Sequence, residues 1–178
     1  MSSLRKGIEK VEVGLKWDPS QLGSPPHDLD LVAATYTSDD PHGSPAYLVH
    51  FDSRSPDGTI TLNRDSRTGI GFGFDEVMTL ELDRLAARYA RVLVGVVVQQ
   101  SEEQAGRDTV FADVANTAVR VRESYTDLSQ HDLSAVDGSS AATIAEFTRD
   151  ADGEWSFREW LRGFDGDLTA FAAVMGAL

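Results

Sequence analysis

Two separated stretches carry acidic side chains whose spacing calls for an explanation, and one of them has the types and spacing to hold a hard cation. The first stretch is "HDLDL", residues 27–31, with Asp28 and Asp30 two positions apart. The second is "DSRTGIGFGFDE", residues 65–76, opened by Asp65 and closed by Asp75 and Glu76. Side chains of an extended chain alternate faces, so Asp28 and Asp30 share one face and Leu29 and Leu31 the other. Like charges ~7 Å apart repel, and Asp is disfavoured in strands, so something must offset the pair. In the second stretch Gly69, Gly71 and Gly73 alternate. Glycine reaches positive φ without steric cost, so the carbonyls of Gly69 and Gly71 can turn toward a common centre. Calcium takes about six to eight oxygens from carboxylates, carbonyls and water, and Asp65, Asp75, Glu76 and the two glycine carbonyls are donors of that kind.

Other chemistries fit less well. A dinucleotide fingerprint needs a third glycine where Phe74 stands, and a helix after it. An EF-hand loop starting at Asp65 meets Arg67 and Ile70 at its third and sixth positions. A second stretch, "TRDADGEWSFRE" (148–159), has EF-hand-like acids but starts on Thr148, and its alternating Trp155 and Phe157 favour a β-hairpin turning at Asp152 and Gly153. There is no cysteine and no G-x-S-x-G. The histidines His27, His42, His50 and His131 show no metal-ligand spacing. No catalytic residue is assigned, and the expectation is a protein that is not an enzyme.

The elements that must position these acids read mostly as strands. "KVEVGLKW" (10–17) puts Val11, Val13, Leu15 and Trp17 on one face, and a strand from Leu29 follows a Pro-rich turn. "PAYLVHF", "TITL" after the "RSPDG" turn, and "EVMTLELD" read as further strands. In the last, Val77, Thr79 and Glu81 oppose Met78, Leu80 and Leu82. "LDRLAARYARV" has Leu82, Leu85, Ala86 and Tyr89 at helical spacing and predicts a short helix. "VLVGVVVQ" predicts a strand buried on both faces, "VANTAVRVRE" ends as an alternating strand, and "DLTAFAAVMGAL" predicts a short helix or an apolar edge segment. Nine or so strands and one or two short helices make a mainly β fold, an antiparallel β-sandwich, with 1–178 as a single domain.

Composition agrees: of 178 residues, 41% are hydrophobic and 25% charged, values of a globular chain. The net charge of -13 excludes the basic footprint of a nucleic-acid surface. The start has no apolar leader and no stretch approaches a membrane span, so the expectation is a cytoplasmic protein that is not membrane-spanning.

Taken in order, "VGLKWDPS", "HDLDLVAATY", "SPDG", "DSRTGIGFGFDE" and "EWSFREWLRGF" resemble the TerD family of bacterial tellurium-resistance and stress-response proteins, from about Val11 to about Phe164. The resemblance implies a calcium-binding β-sandwich without established enzymatic activity. It is associated with tolerance to tellurite and other stresses, with other stress-response proteins as partners in complexes at the inner membrane face. It implies that Asp28 and Asp30 meet Asp65, Asp75 and Glu76 in one calcium site. This chain departs from the family pattern at Pro26, Ile70, Phe72 and Phe74, where acids are usual. The implied site therefore holds one ion, with a second short of ligands. Ile70, Phe72 and Phe74 form either a partner surface, the basis of an alternative reading as a metal-depleted interaction module, or part of the core.

Overall fold

The computed structural model describes residues 7–100 and 108–177. Residues 1–6, part of the start read above as lacking a leader, and Leu178, the last residue of the expected terminal segment, lie outside the described residues. The alternation of Val11, Val13 and Leu15 gives the first strand, β1 (Lys10–Lys16), whose three apolar side chains are fully buried. It centres a sheet ordered β4 (Ile60–Arg64), β5 (Glu76–Glu81), β1, β7 (Ala118–Glu123), β8 (Thr126–His131). The second sheet runs β10 (Trp155–Phe164), β9 (Ala141–Arg149), β6 (Tyr89–Gln99), β2 (Asp28–Thr37), β3 (Tyr47–Val49). Every pairing is antiparallel.

The interior joins Val11, Val13, Leu15, Met78 and Leu80 of the first sheet to Leu29, Leu31, Val94, Val96 and Ile144 of the second. β6 is apolar without interruption from Val92 to Val98 because both its faces are covered there. Leu93 and Val97 turn to the outer side, where Val32 and Ala34 join them under Phe171 and Met175. Phe171 belongs to helix α1 (Leu168–Val174), so the terminal apolar segment is a helix.

One expected element is replaced. Residues 82–92 do not form an α-helix: Leu82–Arg84 is a single 3-10 turn, Leu85 is already extended, and β6 starts at Tyr89. Leu82, Leu85 and Tyr89 all reach the interior without a helix. Helical propensity over so few residues is weak, and the Val-rich run that follows draws the chain into the sheet. In all, the described residues hold ten strands, one α-helix and three 3-10 turns. The stretch 148–159 is the β9–β10 hairpin, and Asp150 is spent on its turn: its Oδ1 accepts from the amides of Asp152 and Glu154, each at 2.9 Å.

The register brings the acidic stretches to one end of the sandwich. Leu15 pairs with Glu76, and Asp28 pairs with Gln99 at the far end of β6. β3 covers β2 only across Ala33, Ala34 and Thr35, so the first residues of β2 have no strand neighbour on that side.

Candidate metal centre

That uncovered edge is where the carboxylates gather. Leu29 and Leu31 are buried in the interior, and the alternation sends Asp28 and Asp30 the other way. Asp30 is 3% exposed, and Asp28, nearer the strand's start, is half-buried. Glu76, the first residue of β5 and fully buried, reaches across from the other sheet. Its Oε2 accepts the Leu31 amide at 2.6 Å, taking the donor that β3 leaves free. Carboxylate oxygens of Asp28, Asp30 and Glu76 all lie within 4.8 Å of one another. Asp65 is exposed, yet it also closes on Glu76 to hydrogen-bonding range.

The electrostatics follow from that crowding. Burial first, then the charge of Asp65, raises the Asp28 carboxyl to about 6. Burial, then Asp28 and Asp65, raises Asp30 to about 7. Burial pushes Glu76 far above the usual carboxylate range, and contact with Asp65 adds to it. For Asp30 the hydrogen bond with Glu76 opposes this, and among the described residues one cation does so for both aspartates, Arg67 of the loop. It does not offset the effect of burial, and Glu76 Oε1 and Asp28 Oδ1 are buried with no hydrogen-bond partner among the described residues. Such oxygens are tolerable when a proton or a cation sits among them. The donors are all oxygen, which suits calcium; zinc prefers nitrogen or sulfur.

The structure distributes the remaining residues of the two stretches differently. Asp75 is not brought to the cluster. Its Oδ2 accepts the Trp17 amide at 2.9 Å, and its charged neighbours are Arg64, Lys16 and Asp18. Consecutive residues entering a strand point to opposite faces, so Glu76 and Asp75 part company. Gly69 sits at φ +75, and a Cβ there would come within 2.6 Å of the Trp17 indole nitrogen. Gly69 thus packs the loop closely against the β1–β2 connection. The loop is further shaped by Ser66 Oγ, which accepts the Gly69 amide at 3.1 Å. Gly71, at φ +135, lies beside Arg64. Ile70 and Phe72 are exposed, but Phe74 is not part of that surface: it fills the space above Gly14 and lies under the Arg120 guanidinium at 4.3 Å.

Two features had little or no signal in the sequence. Arg67, the internal counter-charge, reads there only as a residue that spoils an EF-hand. Asp30 also borders a pocket of about 370 Å³ lined by His50, Asp52, Gln100 and Asp167, brought together from distant segments by β3, β6 and α1.

Fold and site together define a two-sheet antiparallel β-sandwich with a carboxylate cluster at one end. The chain belongs to the TerD family: the family model described as TerD domain matches residues 1–174. Tellurium resistance protein TerD of Serratia marcescens is 27% identical over 179 residues, 99% of this chain and 92% of that protein. General stress protein 16U of Bacillus subtilis is 26% identical over 181 residues, with the same coverage of 99% and 92%. The crystal structure of a homologue of telluride resistance protein from Streptomyces coelicolor A3(2) superposes with a TM-score of 0.90 at 54% identity, covering 96% of this chain and 98% of that one. Among the described residues no helix is long and apolar enough to cross a membrane.

Proposed function

We propose that this chain is a calcium-binding, non-enzymatic stress-response protein of the cytoplasm, acting in tolerance to tellurite and related stresses. Membership of the TerD family, with relatives named as tellurium resistance and general stress proteins, supports the stress assignment. The observation that carries the metal assignment is Glu76: fully buried, set against Asp28 and Asp30, with one oxygen on the Leu31 amide and the other on no donor. Asp28, Asp30 and Glu76 would hold one calcium ion, with Asp65 at its solvent side and the Gly69 and Gly71 carbonyls as the loop donors. Asp75 shapes the loop from its bond to Trp17. The ion supplies charge neutralisation that joins the two sheets at this end. Its partners are other stress-response proteins assembled at the inner membrane face.

A second reading has one observation of its own. Arg67 already opposes the charge of Asp28 and Asp30, and Ile70 and Phe72 are exposed, as a metal-depleted interaction module would have them. Thermal melting separates the two. Calcium binding only the folded state adds roughly 2.7 kcal/mol at a hundredfold excess over its Kd. The midpoint should rise with calcium, fall with chelator and respond more weakly to magnesium, which demands a tight octahedron. A melting curve indifferent to calcium and chelator favours the interaction module.

A further inference from the structure

Away from the carboxylate cluster, the outer face of the second sheet carries a concentration of the opposite charge. The strand register builds it. Arg91 of β6 pairs with Thr148 of β9, and Thr148 with Ser156 of β10. Two residues along β9, Glu146 pairs with Arg158. Tyr36, the β2 partner of Arg91, packs with Phe171 and Met175, so this row faces outward. With Arg149, the last residue of β9, these side chains line a cavity of about 560 Å³.

The charges of the lining do not cancel, because three guanidiniums meet one carboxylate. Arg91 is spent within the fold, on Glu146 and on the carbonyls of Pro41 and Gly176, each at 2.8 Å. Arg158 gives Glu146 one bond at 2.8 Å and stacks over Trp160 at 4.1 Å, with 55% of its side chain exposed. Arg149 has no acidic partner among the described residues. It donates to the carbonyls of Ala86 at 3.0 Å and Leu85 at 2.9 Å, and its Nε is buried with no acceptor among the described residues. Burial lowers its pKa, and no carboxylate opposes that. A half-buried cation in this position lacks a counter-anion.

We propose that this cavity binds a small oxyanion, either a free inorganic one or the phosphate group of a small metabolite, with Arg149 and Arg158 supplying charge and Thr148 and Ser156 neutral hydrogen bonds. Guanidinium presents its N–H donors in a planar fork that matches the oxygens of phosphate and similar anions. The Thr148 and Ser156 hydroxyls lie 3.2 Å apart, and a hydroxyl rotates to suit a ligand. Glu146 offers little repulsion, since both its oxygens are already held by Arg91 and Arg158. Only Pro41 and Ala90 of the lining are apolar, so the cavity suits a ligand that is polar all over. A chain of net charge -13 repels anions over most of its surface, and a cavity with two surplus positive charges is where one is held. The chain has no cysteine, so an oxidising oxyanion such as tellurite would be bound without reduction by a thiol. The site shares no residue with the carboxylate cluster and does not rest on the calcium reading.

The test is calorimetric titration of the full chain with inorganic phosphate, with tellurite and with glucose 6-phosphate at low salt, beside a melting curve for each variant. The expected result is saturable one-to-one binding that weakens as sodium chloride is raised and is unchanged in Asp30→Asn, which alters only the distant cluster. Arg158→Gln leaves Glu146 paired with Arg91 and should weaken binding roughly tenfold or more, the loss of one charge-assisted bond. Ser156→Ala should weaken it roughly threefold, the loss of one neutral bond, with the melting temperature unmoved. Binding of glucose 6-phosphate alone assigns the site to a metabolite's phosphate group. Binding of phosphate and tellurite without glucose 6-phosphate assigns it to the free ion, and binding of all three to any oxyanion of this charge. No heat with any of the three overturns the proposal. Binding that Arg158→Gln and Ser156→Ala leave undiminished overturns it too, marking an adventitious ion only. If Arg158→Gln melts early, Ser156→Ala decides.

Discussion

Two buried glutamates, one at each end of the second sheet's neighbourhood, receive opposite treatment. Glu146 on β9 is clamped by arginines: Arg91 reaches its Oε2 at 2.8 Å and Arg158 its Oε1 at 2.8 Å. Arg91 is in turn fixed by the carbonyls of Pro41 and Gly176, each at 2.8 Å, and lies against the Tyr36 ring. Glu76 has one backbone amide and, for the rest, other carboxylates. The same sandwich thus shows how it buries a carboxylate when it means to neutralise it from within. At the Glu76 end it does the reverse, gathering acids and leaving oxygens without donors. The contrast teaches that the Glu146 carboxylate is neutralised by the chain alone, whereas the Glu76 end is completed by something from outside or by protons.

The largest effect is expected at the arginine-clamped end. Arg91→Met leaves Glu146 buried beside a partly exposed Arg158, and removing one member of a buried ion pair costs about 3–5 kcal/mol. Denaturant unfolding should show that loss equally in calcium and in chelator. A loss that calcium reverses would mean the two ends are not independent.

Next in size is Glu76→Gln. The amide keeps an acceptor for Leu31 but cannot ionise, so it has no negative charge to offer a cation. The apo protein should melt at the same temperature or higher, while the calcium response of roughly 2.7 kcal/mol at a hundredfold excess disappears. A large destabilisation of the apo variant would show that Glu76 serves the fold rather than an ion.

A smaller effect is expected from pH. Asp28 and Asp30 titrate near 6 and 7 in the folded chain, above the ordinary Asp value. The folded state then binds more protons than the unfolded one between about pH 4 and pH 7, so apo stability is greatest at the acid side of that window and falls as pH rises through it. In chelator, melts at pH 5 and 7.5 should differ by roughly 1–2 kcal/mol after solvent screening, with the lower pH more stable. Calcium should flatten or invert the slope. The arginine-clamped end adds nothing to this trend, and Arg91→Met should leave it in place.

The smallest effect sharpens the site's boundary. Asp152→Asn, in the β9–β10 turn, should change stability by less than ~0.5 kcal/mol and leave the calcium response intact. Asp150, not Asp152, supplies the side chain that builds that turn.

How far the sequence revealed this can be followed residue by residue. The alternation in residues 10–17 and 76–82 and the double burial of β6 were legible because strand period and solvent contact are local properties. The Asp28–Asp30 face was legible for the same reason. The same rule, applied one step further, separates Asp75 from Glu76, since neighbours entering a strand cannot both face the cluster. Phe72 and Phe74 share a parity but not a fate. The slot above Gly14 that takes Phe74 is made by another strand, and nothing near residue 74 encodes it. Arg67, His50, Asp52 and Asp167 come to the cluster or its pocket through tertiary packing alone. The expected helix over residues 82–92 failed because a short run of helical spacing competes poorly with a buried Val-rich strand.

The central claim is that the Asp28–Asp30–Glu76 cluster holds a calcium ion. Calorimetric titration of calcium into the chelator-stripped protein, alongside Asp30→Asn, tests it most directly. The account predicts saturable binding of one ion to the wild-type chain and its loss in Asp30→Asn, with the apo variant folded and no less stable. No heat of binding in the wild type, or undiminished binding in Asp30→Asn, would contradict it.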